Sequence, residues 1–233
     1  MLDKLQSIFD RDPFIISDTH FFHDKVYSVF EPSRKIFADS REDFDEKLFS
    51  ILNNASPLLH LGDVAINSKN QKKFYERVNY VGEKLNSIEK ILLVGNHDSG
   101  AEFLYKKTGW DVVDCGINLD SKEIYYNTPA FIVKTIGNEK ILFSHEPAFL
   151  ADQIKYDEGL EKFKTKTQEL LGEIYIQLGI TKNVHGHVHS HSLSSDKHVN
   201  VSIENLDFYP KRLSKIVQDM DISRKSIYKY IDF

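Results

Sequence analysis

The chain has 233 residues, enough for one large domain or two small ones, and its 41% hydrophobic and 28% charged residues are those of an ordinary soluble globular protein. Thirty Lys and Arg against 35 Asp and Glu leave a net charge of −5, which argues against a chain held to nucleic acid or an anionic membrane by bulk charge, though not against a local basic patch. Cys115 is the only cysteine, so no intrachain disulfide forms and a reducing cytosol is the expected compartment; the start MLDKLQSIFDRDPF is too polar for a signal peptide, and no apolar run approaches the roughly 20 residues that span a bilayer.

In chain order, PFIISDTH predicts a buried strand that feeds a loop. SREDFDEKLFSILNN predicts a helix, with Ser40 as N-cap, Asp43 three residues on, and an apolar face of Phe44, Leu48, Ile51 and Leu52. SPLLHLGD is a second strand running into a loop. Residues 70–87 predict a helix with Phe74, Val78, Val81 and Leu85 on one stripe, EKILLVGNHD a third strand, and residues 99–108 a short helix. The pattern then changes to successive strands, DVVDCG, EIYYNT, AFIVKTIG and KILFSH, with a turn at Gly137-Asn138. Residues 153–179 read as mostly helical, TKNVHGHVH and HVNVSIENL as strands, and the tail from about 210 to 233 as helical. Without repeats or a low-complexity linker, residues 1–233 read as a single domain. Strand-helix alternation followed by hairpins predicts an α/β fold with a mixed sheet, or two packed sheets, and helices outside.

The strands end on a consistent set of residues. The first stops at Asp18-Thr-His20, the second at Gly62-Asp63, and the third at Gly95-Asn96-His97-Asp98. Two later strands stop at Ser144-His145 and at Gly186-His187-Val188-His189. Ligands in open α/β sheets bind outside the carboxyl ends of strands, so these groups can converge on one rim. Carboxylate with imidazole favours Zn, Mn, Fe or Ni over the all-oxygen shells of Ca and Mg. Each motif alone has a bland reading as turn chemistry. Together, seven candidate ligands exceed one tetrahedral ion and suit two ions sharing a bridging carboxylate, a device that can clamp a phosphate and activate water. The alternation of His187 and His189 on an extended segment would point both to one side.

The ordered set D-x-H, G-D, G-N-H-D, a lone His after a strand, and G-H-x-H, spanning residues 18 to 189, resembles the calcineurin-like metallophosphoesterase superfamily. SDTHFFH also resembles a bacterial and phage branch whose first motif reads D-T-H-F-x-H, and NVSIENLDFYP resembles that branch's closing strand. The resemblance implies a four-layer α/β/β/α sandwich of two mixed sheets with metals at one edge. It implies that Asp18, His20 and His189 hold one divalent ion, that Asn96, His145 and His187 hold a second, and that Asp63 bridges them. Mn is the expected metal, with Fe, Zn or Ni as alternatives. His97 would reach the substrate phosphate, to stabilise charge or to protonate the leaving oxygen, and Asp98 would orient it.

Other polar residues carry weaker signals. His23 and His185 are candidates to line the same rim, and Arg34, in a polar loop, is a candidate phosphate ligand because Arg suits bidentate phosphate contacts. His60 reads as a satisfied strand histidine, and His191 and His198 as surface residues. The expected function is metal-dependent hydrolysis of a phosphate ester, a diester by preference: the site is acidic, Arg34 is the only cation to nominate, and short spacers between motifs suggest an open rim. The helical stretch between His145 and His187 would be the lid if there is one. A phosphomonoesterase, a nuclease, and a non-catalytic scaffold such as the retromer subunit of this fold are the rival readings. The acidic balance makes a nucleic-acid partner the less favoured one, no membrane partner is expected, and the intact His97 speaks against the scaffold.

Overall fold

The computed structural model describes residues 1–66, 71–150, 164–191, 193 and 195–228, with the side chains of 221–228 excepted. Among these, eleven strands make two sheets. In the first, β1 (Phe14–Ile16), β2 (Leu58–His60), β3 (Lys90–Leu93) and β4 (Asp111–Val113) run parallel, and β11 (Lys211–Arg212) pairs antiparallel with β1 at one edge. The second, mixed sheet has the order β10 (His198–Asn200), β9 (Lys182–His185), β8 (Glu139–Ser144), β7 (Phe131–Ile136), β5 (Gly116–Asn118) and β6 (Glu123–Tyr125). Strands β8, β9 and β10 are mutually parallel, so their carboxyl ends share an edge.

Side-chain alternation sets the layers. On β7 and β8, Ile132, Ile141 and Phe143 join the large core that also holds Ile15, Leu59 and Ile91 of the first sheet. The intervening Phe131, Val133 and Leu142 turn outward, where Leu171 and Tyr175 of α6 (Lys166–Gln177) cover them. Successive strand residues face opposite sides, so each sheet face needs its own cover. The large core also takes in Phe44 and Leu48 of α3 (Arg41–Leu52), Phe74, Val78 and Val81 of α4 (Gln71–Lys84) and Tyr105 of α5 (Glu102–Lys107). Two sheets flanked by helices is the architecture expected.

Local chemistry accounts for several boundaries. Ser40 accepts the Asp43 N–H as the N-cap of α3, as its sequence predicts. Thr165 and Gln168 form a reciprocal capping box at α6. Three expectations change. DVVDCG is not one strand: it breaks at Asp114-Cys115 into β4 and β5, one in each sheet, and Gly116 leaves room for the Phe131 ring that a Cβ would strike. The closing segment is not a strand beyond Asn200; it becomes a 3-10 turn, Ile203–Leu206, followed by Asp207 and Phe208 in the left-handed region. Two α-helices and a π-helical turn precede α3: α1 (Leu2–Asp10), burying Leu5 and Ile8, the turn Val26–Phe30, and the one-turn α2 (Arg34–Phe37) where a loop was expected. The tail is β11 followed by α7 (Leu213–Tyr228). Of the stretch on which the lid expectation falls, Lys166–Gln177 form α6 against the second sheet, and 151–163 lie outside the described residues. Among the described residues no helix is long and apolar enough to cross a membrane.

Candidate metal centre

The two sheets are hydrogen-bonded to each other at the edge where the motifs lie. Ser17, just past β1, donates its N–H to Val201 O at 3.0 Å and accepts the Ile203 N–H at 3.0 Å, while the Val201 N–H bonds His185 O at 2.7 Å. The first motif crosses to the second through Asp18 N–H to Gly62 O and His20 N–H to Asp63 O, both 3.0 Å. Backbone approaches this close leave no room for side chains: a Cβ on Gly62 would meet Gly95 and the His145 ring at 2.7 Å, and one on Gly186 would collide with Ser17 and Asp18.

Five of the seven candidate ligands sit in the left-handed region: Asp18 (φ 61), His20 (φ 47), Asp63 (φ 58), His187 (φ 72) and His189 (φ 50). Each such residue outside glycine costs on the order of 1–3 kcal/mol and persists where the surroundings enforce it, commonly at functional sites. His187 and His189 therefore reach a common rim through a kinked backbone past the end of β9, and not by strand alternation.

All seven expected ligands meet. One carboxylate oxygen, Asp63 Oδ2, lies 3.5 Å from His20 Nε2 and 3.3 Å from His145 Nε2. On one side, Asp18, His20 and His189 each offer an atom within 4.8 Å of the others, with His20 Nε2 at 3.8 Å from Asp18 Oδ1. On the other, Asn96 Oδ1 is 2.9 Å from His145 Nε2 and 3.1 Å from His187 Nδ1, and those two nitrogens are 3.3 Å apart. Donor atoms bonded to one ion at about 2.1 Å stand about 3.0–3.4 Å from one another, so these spacings could serve as edges of a coordination shell.

The fit to divalent cations rests on atoms left unsatisfied. Asp18 Oδ1 and both ring nitrogens of His20 are buried without a hydrogen-bond partner, which costs about 1–3 kcal/mol per atom unless something binds there. The electrostatics agree. Burial would raise Asp18, yet His145 and His189 hold it at about 2. Burial would likewise raise Asp63, yet His145 and then His20 hold its carboxyl well below the usual carboxylate range. Burial would lower His145, yet Asp63 and Asp18 raise it to about 10. Two carboxylates held ionised, drawing a proton onto the buried His145, suit a cation, and a metal ion would take the place of that imidazole proton. His145 Nδ1 faces Leu61 O at 2.8 Å, which fixes the tautomer that leaves Nε2 free to ligate.

The remaining candidates divide. His97 stands at the mouth, its side chain 36% exposed, with Nε2 3.9 Å from Asp63 Oδ2 and its ring edge-on to His20 at 5.1 Å. It is close enough to His20 and Asp63 to form a third ligand cluster with them. Asp98 does not orient it. The Asp98 carboxylate is buried and accepts the N–H groups of Asp63, Val64 and Gly95 and the Tyr105 hydroxyl. His23 stacks on His20 at 5.4 Å and lines the mouth with Val26 and Phe30; burial, then His97 and Arg34, lower its pKa to about 4, so the ring is neutral.

Arg34 and His185 leave the rim. Arg34 is buried and spends its guanidinium on Glu204 and on the Asp18 and Thr19 carbonyls, so it is no phosphate ligand. His185 faces a different cavity of about 540 Å³, beside His198 and Met220. His198 is buried too, between Ser195 Oγ at 3.0 Å and Ala148 O at 2.9 Å, where a surface residue was expected. His60 is the satisfied strand histidine expected, meeting Thr19 Oγ1 at 3.0 Å and the Gly62 N–H at 3.2 Å. The residue that sequence reasoning missed is Glu204, whose Oε2 lies 3.5 Å from His189 Nδ1. Its only local signal was a carboxylate, one of two with Asp207, in the closing segment NVSIENLDFYP.

A two-sheet α/β sandwich carrying carboxylate and imidazole ligands at the strand ends defines a class of divalent-metal proteins. A family model for the calcineurin-like phosphoesterases matches residues 14–219, and the chain belongs to that family. No curated protein matches. Among solved structures, the protein of unknown function AQ665 from Aquifex aeolicus superposes with a TM-score of 0.57 at 23% identity, covering 88% of this chain and 97% of that one, and so shares its fold. A nuclease, MPE, from Pseudomonas putida (TM-score 0.35, 14% identity, 75% of this chain and 60% of that one) and an archaeal phosphodiesterase (0.35, 16%, 81% of each) are more distant. Likenesses at that level say nothing of what this chain acts on.

Proposed function

We propose that this chain hydrolyses phosphate esters, diesters in preference to monoesters, using two divalent ions side by side across Asp63. The observation that carries the two-ion reading is that one oxygen of Asp63 faces both His20 and His145. Asp18, His20 and His189 would hold the first ion with Asp63, and Asn96, His145 and His187 the second. Two divalent ions, when bound, lower the pKa of water and compensate charge on the phosphoryl group. The chain's own part is positional. The left-handed loops place the ligands, and Asp98 locks the Asp63 and Gly95 loops together. His97 presents its ring at the mouth, where its N–H can meet a phosphoryl oxygen or the leaving oxygen.

Charge and room favour a diester. Two hollows meet at Asn96: one of about 300 Å³ lined by His23, Val26, Phe30 and His97, and one of about 410 Å³ lined by Ser99, Glu102, Asp114, Glu146 and Thr167. Two hollows suit two ester arms. Neither has a Lys or Arg among its described lining residues, so among the described residues the second negative charge of a monoester finds no side-chain cation there, and Arg34 is committed to Glu204. The test is kcat/KM for bis-p-nitrophenyl phosphate against p-nitrophenyl phosphate at saturating Mn and neutral pH. The diester should be the better substrate. A monoester preference of about tenfold or more overturns the substrate class, and no turnover of either ester by the Mn-loaded protein overturns the enzyme reading.

A further inference from the structure

Arg34 and Glu204 are both about 1% exposed in their side chains. Arg34 Nε and Nη2 donate to Glu204 Oε1 at 2.7 and 2.5 Å, Nη2 also to Asp18 O at 2.7 Å, and Nη1 to Thr19 O at 2.9 Å. The other oxygen of the carboxylate, Glu204 Oε2, is buried without a hydrogen-bond partner, as is His189 Nδ1, and the two face each other at 3.5 Å. Removing two such charges from water costs several kcal/mol per ion, and a hydrocarbon pair of equal volume is often as stable. Fold stability is therefore a weak reason for the pair to be here. Its placement gives a stronger one. One end grips the carbonyls of a turn flanked by left-handed Asp18 and His20, and the other end faces the ring of His189: three of the four residues that would hold the first ion.

We propose that Arg34 and Glu204 are a positioning pair for the first metal ion, an inference that rests on the two-ion reading above. Glu204 accepts the Nδ1 proton of His189, which leaves Nε2 with the lone pair for the metal. Arg34 supplies the countercharge that keeps Glu204 in place and clamps the turn that delivers Asp18 and His20. Asn200 Nδ2 donates to His189 O at 2.7 Å, so the backbone of His189 is held separately and the ring is left to Glu204. The second half-set has its own device, the contact of His145 Nδ1 with Leu61 O at 2.8 Å. The ring tautomers of the two half-sets are thus set by separate contacts, and although Asp18 Oδ2 also accepts the His187 N–H at 2.8 Å, loss of the pair should be felt chiefly at the first ion. Outer partners of metal-bound histidines typically carry about 10–100-fold in metal affinity.

The experiment titrates Mn into metal-free wild type, Glu204→Gln, Arg34→Lys and Arg34→Met, read by calorimetry and by the Mn electron paramagnetic resonance spectrum. Near-ultraviolet circular dichroism confirms the fold. The wild type should take two ions and give an exchange-coupled spectrum. Glu204→Gln and Arg34→Met should weaken one ion by about 10–100-fold, keep the other within about twofold, and pass through an uncoupled spectrum at one equivalent. Arg34→Lys should fall between wild type and Arg34→Met. Both affinities unchanged, or both lowered together, overturns the proposal, the second result marking a general structural role. If Arg34→Met fails to fold, the near-isosteric Glu204→Gln decides. If the wild type takes only one ion, the two-ion reading fails instead, and the pair is judged by whether Glu204→Gln weakens that ion.

Discussion

The Asp98 carboxylate accepts the backbone N–H of Asp63 at 2.6 Å, across 35 residues of sequence, so the residue that closes one motif holds the carboxylate that ends another. The same oxygen, Oδ2, takes the Gly95 N–H at 3.1 Å, and Oδ1 takes the Val64 N–H at 3.1 Å and the Tyr105 hydroxyl at 2.9 Å. Burial, and then the charge of Asp63, raise its pKa to about 6. Asp98 thus acts on the loops that carry the ligands and not on the His97 ring.

A stability test follows. In Asp98→Asn one of the two oxygens becomes an NH2 group that faces at least one backbone N–H whichever way the amide turns, because only the Tyr105 hydroxyl can rotate to accept from it. Orphaned buried donors cost about 1–3 kcal/mol each, so unfolding by urea should show a loss of about 1–3 kcal/mol together with weaker Mn binding. Tyr105→Phe removes one hydroxyl contact and should cost about 1 kcal/mol while leaving both ions bound. Wild-type stability with lost turnover in Asp98→Asn would return Asp98 to the role of orienting His97.

His97→Gln separates ligation from chemistry. Because the ring stands at the mouth and not among the seven inner ligands, the variant should keep two equivalents of Mn and lose about 10²–10⁴-fold in kcat. Loss of an ion on elemental analysis would show that the cluster of His20, Asp63 and His97 is itself a metal site.

Asp63→Asn should behave in the opposite way. It removes charge from the oxygen that faces both half-sets, so Mn occupancy should fall from two equivalents toward one or none at concentrations that saturate the wild type. Full occupancy with normal exchange coupling would mean that Asp63 does not bridge.

Two histidines away from the ligands predict an acid-labile fold. Burial lowers His60 to about 3 and His198 to about 4, against 6.5 for the exposed side chain. The folded state therefore binds fewer protons than the unfolded chain, and the stability present above pH 6.5 is lost as pH falls toward 4. His198→Gln should remove one such group. Its deficit relative to wild type should shrink by about 2 kcal/mol between pH 7 and pH 5 in urea melts with chelator present. Asp45, which burial raises to about 6 against the opposing pull of Arg41, works in the other direction but cancels in this difference. A deficit constant with pH would mean that His198 takes up its proton in the fold as it does in the unfolded chain.

The sequence by itself determined the identity and order of the candidate ligands that the structure brings together. Each is a chemically distinctive residue placed just after an apolar strand, and parallel strands bring such ends to one edge. The cap at Ser40 and the stripe from Phe74 to Val81 were legible for the same reason, being spelled out within one or two helical turns. Tertiary structure alone decided what surrounds the ligands. Arg34 meets Glu204 across 170 positions, and Asp98 meets Asp63 across 35. A cation in a polar stretch looks the same in sequence whether it faces solvent, substrate or a buried carboxylate. Only the fold brings its partner, and burial then makes that partner obligatory, because an unpaired charge in the interior costs more than the loop that carries it can recover.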